Sequence, residues 1–245
     1  HSTGYKNLKA RIRKALSMCD RLIVSTQPLA EAYGNMIEDV RIIPNSIDMR
    51  RWSGLKSGKR MGKKPRVGWV GASQHKPDLE IIASVVEEIG DEVKWVFFGD
   101  KPRDVGHLNV EFHEGVNFEE YPERMASLNL DLALAPLYSC AFNEAKSNLR
   151  LLEYGVLGIP VVCSDILPYQ NAPVTRVRNN TRDWVKAIRE QVNDLDAAEA
   201  QAEILREWVM ANYLLEQHTD VWLRAFDPDL VSVGRHCVQD QVAAV

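Results

Sequence analysis

Apolar and polar positions change rhythm repeatedly along this chain. RLIVST (21–26) is a short apolar run, QPLAEAYG (27–34) has helical spacing, and VRIIPN (40–45) is apolar again. WSGLKSGKRMGKKP (52–65) has no hydrophobic period and reads as an exposed linker. After it the alternation becomes regular. Strands are predicted over RVGWVG (66–71), VKWVFFG (93–99), NVEFHEG (109–115), DLALAPL (131–137), IPVVCSD (159–165) and VTRV (174–177). Helices are predicted over 76–91, 118–129 and 147–158, then over 181–193, 195–211 and 213–226. Strand and helix in alternation mean parallel strands joined by crossovers, hence a doubly wound α/β sheet. Ligands of such sheets bind beyond the carboxyl ends of the strands, at the point where strand order reverses. The loops to inspect are therefore 71–76, 99–107 and 136–147.

Composition narrows the class without naming it. The 245 residues are 45% hydrophobic and 26% charged, as expected of a folded soluble protein and not of a disordered chain. The net charge of −4 suggests no nucleic-acid partner, yet it hides a polarity. Residues 1–66 carry 15 Lys and Arg against 5 Asp and Glu, a net +10; the remaining 179 carry 15 against 29, a net −14. Cys19, Cys140, Cys163 and Cys237 have no metal-ligand or redox spacing, so a reducing, cytoplasmic setting is expected, with Cys163 as a small core residue of its strand. No apolar run approaches the roughly 20 residues that span a bilayer. The chain begins with His1, not Met, and reads as a piece of a longer protein.

The segment FNEAKSNLRLLEYGVLGIPVVCSD (142–165) concentrates the chemistry. A polar loop ends in a helix start near Ser147, where unpaired backbone N–H groups and the helix dipole favour an anion, and Lys146 adds a cation. Glu153 lies nearly two turns on, amid Leu151, Leu152 and Tyr154, so its carboxylate needs a partner. That partner is either a pair of ligand hydroxyls, such as those of a ribose, or a nearby Arg or backbone donor.

This segment resembles the donor-site signature of the retaining GT-B glycosyltransferases of family 4 (group 1). Glu153 matches the second of that signature's two Glu, and Gly158-Ile159-Pro160-Val161-Val162 matches its closing G-x-P-V-V. CDRLIVST (19–26) with VRIIPNSID (40–48), and the strands at 66–71, 93–100 and 131–137, follow the family's order over about residues 15–225. The resemblance implies a Rossmann-like doubly wound parallel sheet, the GT-B C-terminal domain, with a short remnant of the N-terminal domain. It divides the chain into the end of an acceptor domain (1–48), a linker (49–65), a donor-binding domain (66–212) and a C-terminal helix and tail (213–245). It implies that Glu153 binds the donor ribose and that Ser147, Asn148 and Leu149 hold the diphosphate through their amides. It further places Gly71, Ala72, Ser73, Lys76, Gly99 and Val116 along the donor, and assigns Glu144, Lys146 and His75 to the reacting end.

Two positions depart from the family pattern. Ala145 stands where the first Glu is expected, with Glu144 one position off and Asn143 as another substitute; Ala72 stands where an Arg often faces the diphosphate, leaving His75 and Lys76 as the cations of that loop. His75 and Asp78 are read as a His-x-x-Asp version of the loop. Transfer on this scaffold needs no metal and no cofactor beyond the nucleotide-diphosphate sugar itself, since cations and oriented amides stabilise the leaving diphosphate. The Asp pairs 194/196 and 227/229, His107 and His113, and the Asn179-Asn180-Thr181 sequon are read as incidental. Trp184, Trp208 and Trp222 are read as packing residues.

The expectation is a retaining glycosyltransferase's donor-binding part, acting on a glycan or lipid-linked acceptor in surface polysaccharide assembly, and inactive in isolation. Its alternatives are a non-catalytic nucleotide-binding or protein-interaction module, or another enzyme on the scaffold such as a nucleotide-sugar epimerase. The basic stretch 5–18, with Leu8, Ile12 and Leu16 spaced by four among Lys6, Lys9, Arg11, Arg13 and Lys14, is either a peripheral contact with the inner membrane face or an ordinary helix of the first domain.

Overall fold

The structure, a computed structural model, describes residues 2–72, 76–103, 105 and 108–226. It divides into two compact units.

The first unit comprises His1–Asn45, Ala145–Ser147 and Leu215–Val245. Helix α1 (Ser2–Leu16) precedes strand β1 (Leu22–Val24), helix α2 (Gln27–Tyr33) and strand β2 (Val40–Ile42). β1 and β2 pair in parallel, with Leu22 opposite Val40. Thr26 explains where α2 starts. Its hydroxyl accepts the N–H of Leu29, Pro28 follows in the first turn, and the same hydroxyl donates to the carbonyl of Ala145 at 2.8 Å.

The second unit, Ser46–Glu144 and Asn148–Leu214, carries a six-stranded sheet. Its strands are β3 (Arg66–Val70), β4 (Lys94–Phe98), β5 (Glu111–His113), β6 (Leu132–Ala135), β7 (Val161–Ser164) and β8 (Thr175–Val177). The order is β5-β4-β3-β6-β7-β8 and every pairing is parallel. The chain winds outward from β3 through β4 to β5, then crosses back to β6 on the other side of β3. The reversal point thus lies between β3 and β6. This is the doubly wound Rossmann-like sheet that the alternating pattern predicts.

Both faces of this sheet are covered, which is why its strands are continuous apolar runs rather than alternating ones. Val67, Trp69, Trp95, Phe97, Leu132, Leu134 and Val162 face one core with Ile82, Val85, Val86, Trp184 and Ile188. Val70, Val96, Phe98, Ala133, Ala135, Val161 and Cys163 face the other, with Trp52, Met125, Leu151, Leu152, Leu205 and Val209. Strand residues alternate strictly between the two clusters, as the two-residue period requires. Cys163 is fully buried, as expected of a core residue, and burial pushes its thiol well above the ordinary range.

Several elements differ from expectation. The helix over 76–91 is broken into α4 (Lys76–Leu79), a 3₁₀ turn (Glu80–Ile82) and α5 (Ala83–Glu88). The buried positions Leu79, Ile82 and Val85 recur every three residues, and a tightened turn keeps them on one face. Helix α6 (Tyr121–Ser127) starts later than expected, because Pro122 suits a first turn. The predicted helix 213–226 is split. Leu214 pairs with Ile47 in a parallel bridge, a 3₁₀ turn covers Leu215–His218, and α11 spans Thr219–Phe226.

The stretch 52–65 is not a free linker. Helix α3 (Met49–Trp52) buries Trp52, Ser57 is buried with its hydroxyl on the carbonyl of Leu130, and the N–H groups of Gly58 and Arg60 bond the side chains of Asn129 and Asp131. Polar sequence without a hydrophobic period is held here by hydrogen bonds together with the burial of Trp52.

Candidate functional site

Helix α8 (Leu149–Val156) places the central carboxylate. Leu151, Leu152, Tyr154, Gly155 and Val156 are buried, so the helix has one solvent-facing stripe. A Cβ on Gly155 would sit 2.8 Å from Val209 Cγ2 and 3.0 Å from Leu205 Cγ, so only glycine lets α10 (Leu195–Asn212) approach this closely. The Tyr154 hydroxyl accepts the N–H of Val70 at 3.1 Å and pins the helix to the end of β3. Glu153, one residue earlier, then reaches the carboxyl ends of the strands.

There a cleft of about 410 Å³ opens. Val70, Gly71 and Ala72 line it at the end of β3, Phe98 and Gly99 at the end of β4, Gly115 to Phe118 after β5, Tyr121 at the start of α6, and Arg150 and Glu153 on α8. Gly99 has φ +93°, and a Cβ there would stand 2.2 Å from the carbonyl oxygen of Gly71. Its missing side chain lets the β3 and β4 loops touch and leaves backbone as the cleft wall.

Glu153 is 12% exposed and Arg150 is 23% exposed. Arg150 Nη1 donates to Glu153 Oε2 at 2.9 Å and to the Tyr121 hydroxyl at 2.7 Å, and that hydroxyl donates to the same Oε2 at 3.1 Å. Among the described residues no hydrogen bond to Oε1 is made. Burial pushes the Glu153 carboxyl above its usual range, opposed by the Arg150 charge, the Tyr121 hydroxyl and the more distant Arg51. Tyr121 is itself wedged in place, stacked on Phe98 with ring centres 5.8 Å apart and edge-on to Trp52 at 6.3 Å. At the cleft's outer end the Arg51 guanidinium lies 3.6 Å over the ring of Phe118, which is 70% exposed.

Of the residues singled out from sequence, Gly71, Ala72, Gly99, Val116 and Glu153 come together in this cleft. Asn148 is the N-cap of α8 and Leu149 its first residue; neither lines the cleft. Lys146 and Ser147 fall in the first unit, where the Asn45 amide donates to the Ser147 hydroxyl. Glu144 ends the short helix α7 (Ala141–Glu144) and accepts from the Ser139 hydroxyl and the N–H of Leu167. Asn143 and Asp78 are both buried. Asp78 accepts from the Asn143 amide at 2.6 Å and from the N–H of Tyr138 at 2.9 Å, tying the start of α4 to the loop after β6. Lys76 opens α4. Ser73, His75 and His107 lie outside the described residues, as do Asp227 and Asp229.

The remaining singled-out residues have structural uses. Asp194 caps α10 through the N–H of Ala197, and Asp196 pairs with Arg60. Asn179 bonds Ser164 and the carbonyl of Leu137, and His113 bonds Glu111. Sequence reading missed Tyr121, Arg150 and Phe98. Arg150 had a signal, since it precedes Glu153 by three on one helix face. Tyr121 had none, because its meeting with Glu153 depends on the sheet.

No protein-family model matches the chain, and no curated protein matches it in sequence. Solved structures do resemble it. An S. aureus TarM variant in complex with fondaparinux, alpha-GlcNAc-glycerol and UDP superposes with TM-score 0.64 and 19% identity, over 89% of this chain and 46% of its own. Sucrose-phosphate synthase from Thermosynechococcus elongatus gives 0.64 and 16%, over 87% of this chain and 60% of its own. Anabaena HepE in complex with UDP-glucose gives 0.67 and 14%, over 86% and 65%. The fold is that of the GT-B glycosyltransferases. The chain spans about half to two-thirds of the length of these proteins.

Proposed function

We propose that this chain is the nucleotide-sugar-binding part of a glycosyltransferase. The observation that carries the reading is Glu153, a nearly buried carboxylate held at the mouth of a backbone-walled cleft at the carboxyl ends of β3 and β4. A carboxylate with an open oxygen beside glycine-lined loops suits a ribose diol next to a diphosphate. Structural neighbours with this fold carry UDP or UDP-glucose. In this reading the Glu153 carboxylate accepts the ribose hydroxyls, the loops at Gly71–Ala72 and Gly99 let the diphosphate approach backbone, and Val116 and its neighbours flank the base. The resemblance to family 4 adds the finer proposal of a retaining transfer to a glycan or lipid-linked acceptor in surface polysaccharide assembly. In that finer proposal the oriented backbone amides of the cleft loops stabilise the departing diphosphate, and the rest of catalysis is positioning.

Calorimetric titration with UDP, GDP and ADP and their sugar conjugates tests the donor site. Micromolar binding to the wild type, reduced at least tenfold in Glu153→Gln with folding intact by circular dichroism, supports the reading. Binding unchanged by that substitution removes Glu153 from the site, and no binding by any of them overturns the reading.

A second reading, a nucleotide-binding module without transfer, is favoured by one feature. Ala145 and Ala72 stand where the family pattern has charged groups, and the adjacent Glu144 is bonded to Ser139 and Leu167. Sugar release from a bound conjugate, followed by chromatography, separates the two. No described helix is long and apolar enough to cross a membrane. In α1, Lys9, Arg11, Arg13 and Lys14 are exposed beside the half-exposed Leu8, which supports a peripheral contact with anionic lipid. Salt-sensitive co-sedimentation with phosphatidylglycerol vesicles is expected; no sedimentation at low salt sinks that part.

A further inference from the structure

Glu153 is held by an arrangement that the family resemblance does not imply. Both its partners use one oxygen. The Tyr121 hydroxyl and Arg150 Nη1 meet Oε2 at 3.1 and 2.9 Å, and Arg150 also donates to the Tyr121 hydroxyl at 2.7 Å, closing a three-membered hydrogen-bonded ring. Each corner is fixed from outside the ring. Arg150 and Glu153 share the α8 face, and Tyr121 is trapped between Phe98 and Trp52. The Tyr121 hydroxyl can donate only one proton, and Arg150, which accepts nothing, forces that proton toward the carboxylate. Two donors on one oxygen set the plane of the carboxylate and leave Oε1 as its acceptor toward the cleft.

We propose that Arg150 and Tyr121 are positioning residues that orient Glu153 so that Oε1 receives a hydroxyl of a ribose diol. They select a ribonucleotide over its deoxy counterpart by acting through the Glu153 carboxylate. The proposal rests on the nucleotide reading above and specifies how that site distinguishes its ligand. A merely structural ion pair would stabilise α8 against α6 and leave the choice between ribose and deoxyribose untouched. Among the described residues, the charged and titratable groups that act on Glu153 are Arg150 from α8, Tyr121 from α6 and Arg51 from α3, with Tyr154 of α8 also coupled to it. With Arg150 removed, burial acts on the carboxyl with less opposition, and its pKa rises further.

The test uses the whole chain and calorimetry. UDP, GDP and ADP are titrated first, and the one that binds is compared with its 2′-deoxy form. The wild type is expected to prefer the ribonucleotide about tenfold, because a hydrogen bond to a charged acceptor is lost in the deoxy form. Tyr121→Phe should lower that preference to near one while the deoxy form binds almost as before. Arg150→Met should do the same and also make ribonucleotide binding fall off at a higher pH than in the wild type, while Arg150→Lys restores most of the preference and the wild-type pH profile. Wild-type discrimination and pH profile retained in both Tyr121→Phe and Arg150→Met overturn the inference and leave the nucleotide site standing. A wild type that binds both forms equally does the same, and a wild type that binds none of the three diphosphates removes the reading and the inference together.

Discussion

The hydroxyl of Tyr154 accepts the N–H of Val70 at 3.1 Å, across 84 residues of sequence. The same hydroxyl lies 3.4 Å from the carbonyl of Leu134, so one side chain of α8 reaches both strands that flank the reversal point. Burial pushes its pKa up to about 12, further from neutral pH than an ordinary phenol. Tyr154→Phe removes the acceptor but keeps the ring. The Val70 N–H, buried at the end of β3, then has no partner, at a cost of about 1–3 kcal/mol. Urea denaturation should show that loss with an unchanged slope. Because Val70 leads into Gly71 and Ala72, nucleotide binding should weaken severalfold as well.

Gly99 and Gly115 line the same cleft and should respond oppositely to one methyl group. At Gly99 the backbone is left-handed, with φ +93°, and the new Cβ would meet the Gly71 carbonyl oxygen at 2.2 Å. At Gly115 nothing lies within 4 Å of the added atom. Gly99→Ala is therefore expected to lower stability by about 2 kcal/mol or more, through strain and displacement of the β3 loop. Gly115→Ala should stay within about 0.5 kcal/mol of the wild type. Thermal melts of the two variants make the comparison.

The strands were legible because burial on both faces writes them as unbroken apolar runs. RVGWVG and VKWVFFG end within a residue or two of the observed β3 and β4. Parallel order followed from the intervening helices, and the ligand end followed from the order. Four-residue helices such as α3 and α7 have no period to read, and the turn tightening at Ile82 shows only once its neighbours are buried. At the site, Glu153 was visible as a carboxylate out of place among leucines. Its partner was divided between a ligand and an Arg, and the structure shows Arg150 on one oxygen with the other oxygen open. Tyr121 was invisible for a topological reason, since β4, through Phe98, decides where its ring rests. The departure at Ala72 was legible, as was an Arg three residues before Glu153; that Arg150 lines the same cleft shows only once α8 is placed against the sheet.

The edge of the sheet should respond to acid. Two hydrogen bonds from Arg66, at 2.7 and 3.0 Å, and one from His113 hold the Glu111 carboxyl down to about 2 against burial that would raise it. The unfolded chain titrates near 4.5 and takes up the proton first. The stabilisation is thus complete above about pH 4.5 and disappears as pH falls toward 2. The pair is partly exposed, so its contribution at neutral pH is about 1–2 kcal/mol after solvent screening. Glu111→Gln should lose that amount at pH 7 and differ less from the wild type near pH 2.5, as measured by denaturant midpoints across the pH series.

Phe118 separates binding from stability. Its ring is 70% exposed and contributes little to the core, while Arg51 lies 3.6 Å over one face and donates to its carbonyl. A cation over an exposed ring contributes about 0.5–1 kcal/mol and costs the arginine little freedom. The ring is thereby held at the lip of the cleft next to Val116 and Asn117. Under the nucleotide reading that lip flanks the base, and stacking a base on an aromatic ring contributes about 1–3 kcal/mol. Phe118→Ala should therefore shift the melting temperature by only about 1–2 °C, since exposed positions change stability by about 0.5 kcal/mol. The same variant should weaken nucleoside diphosphate binding about tenfold. Phe118→Tyr, which keeps the ring, should bind as the wild type does. A loss of binding in both variants would mean that the loop, not the ring, makes the contact.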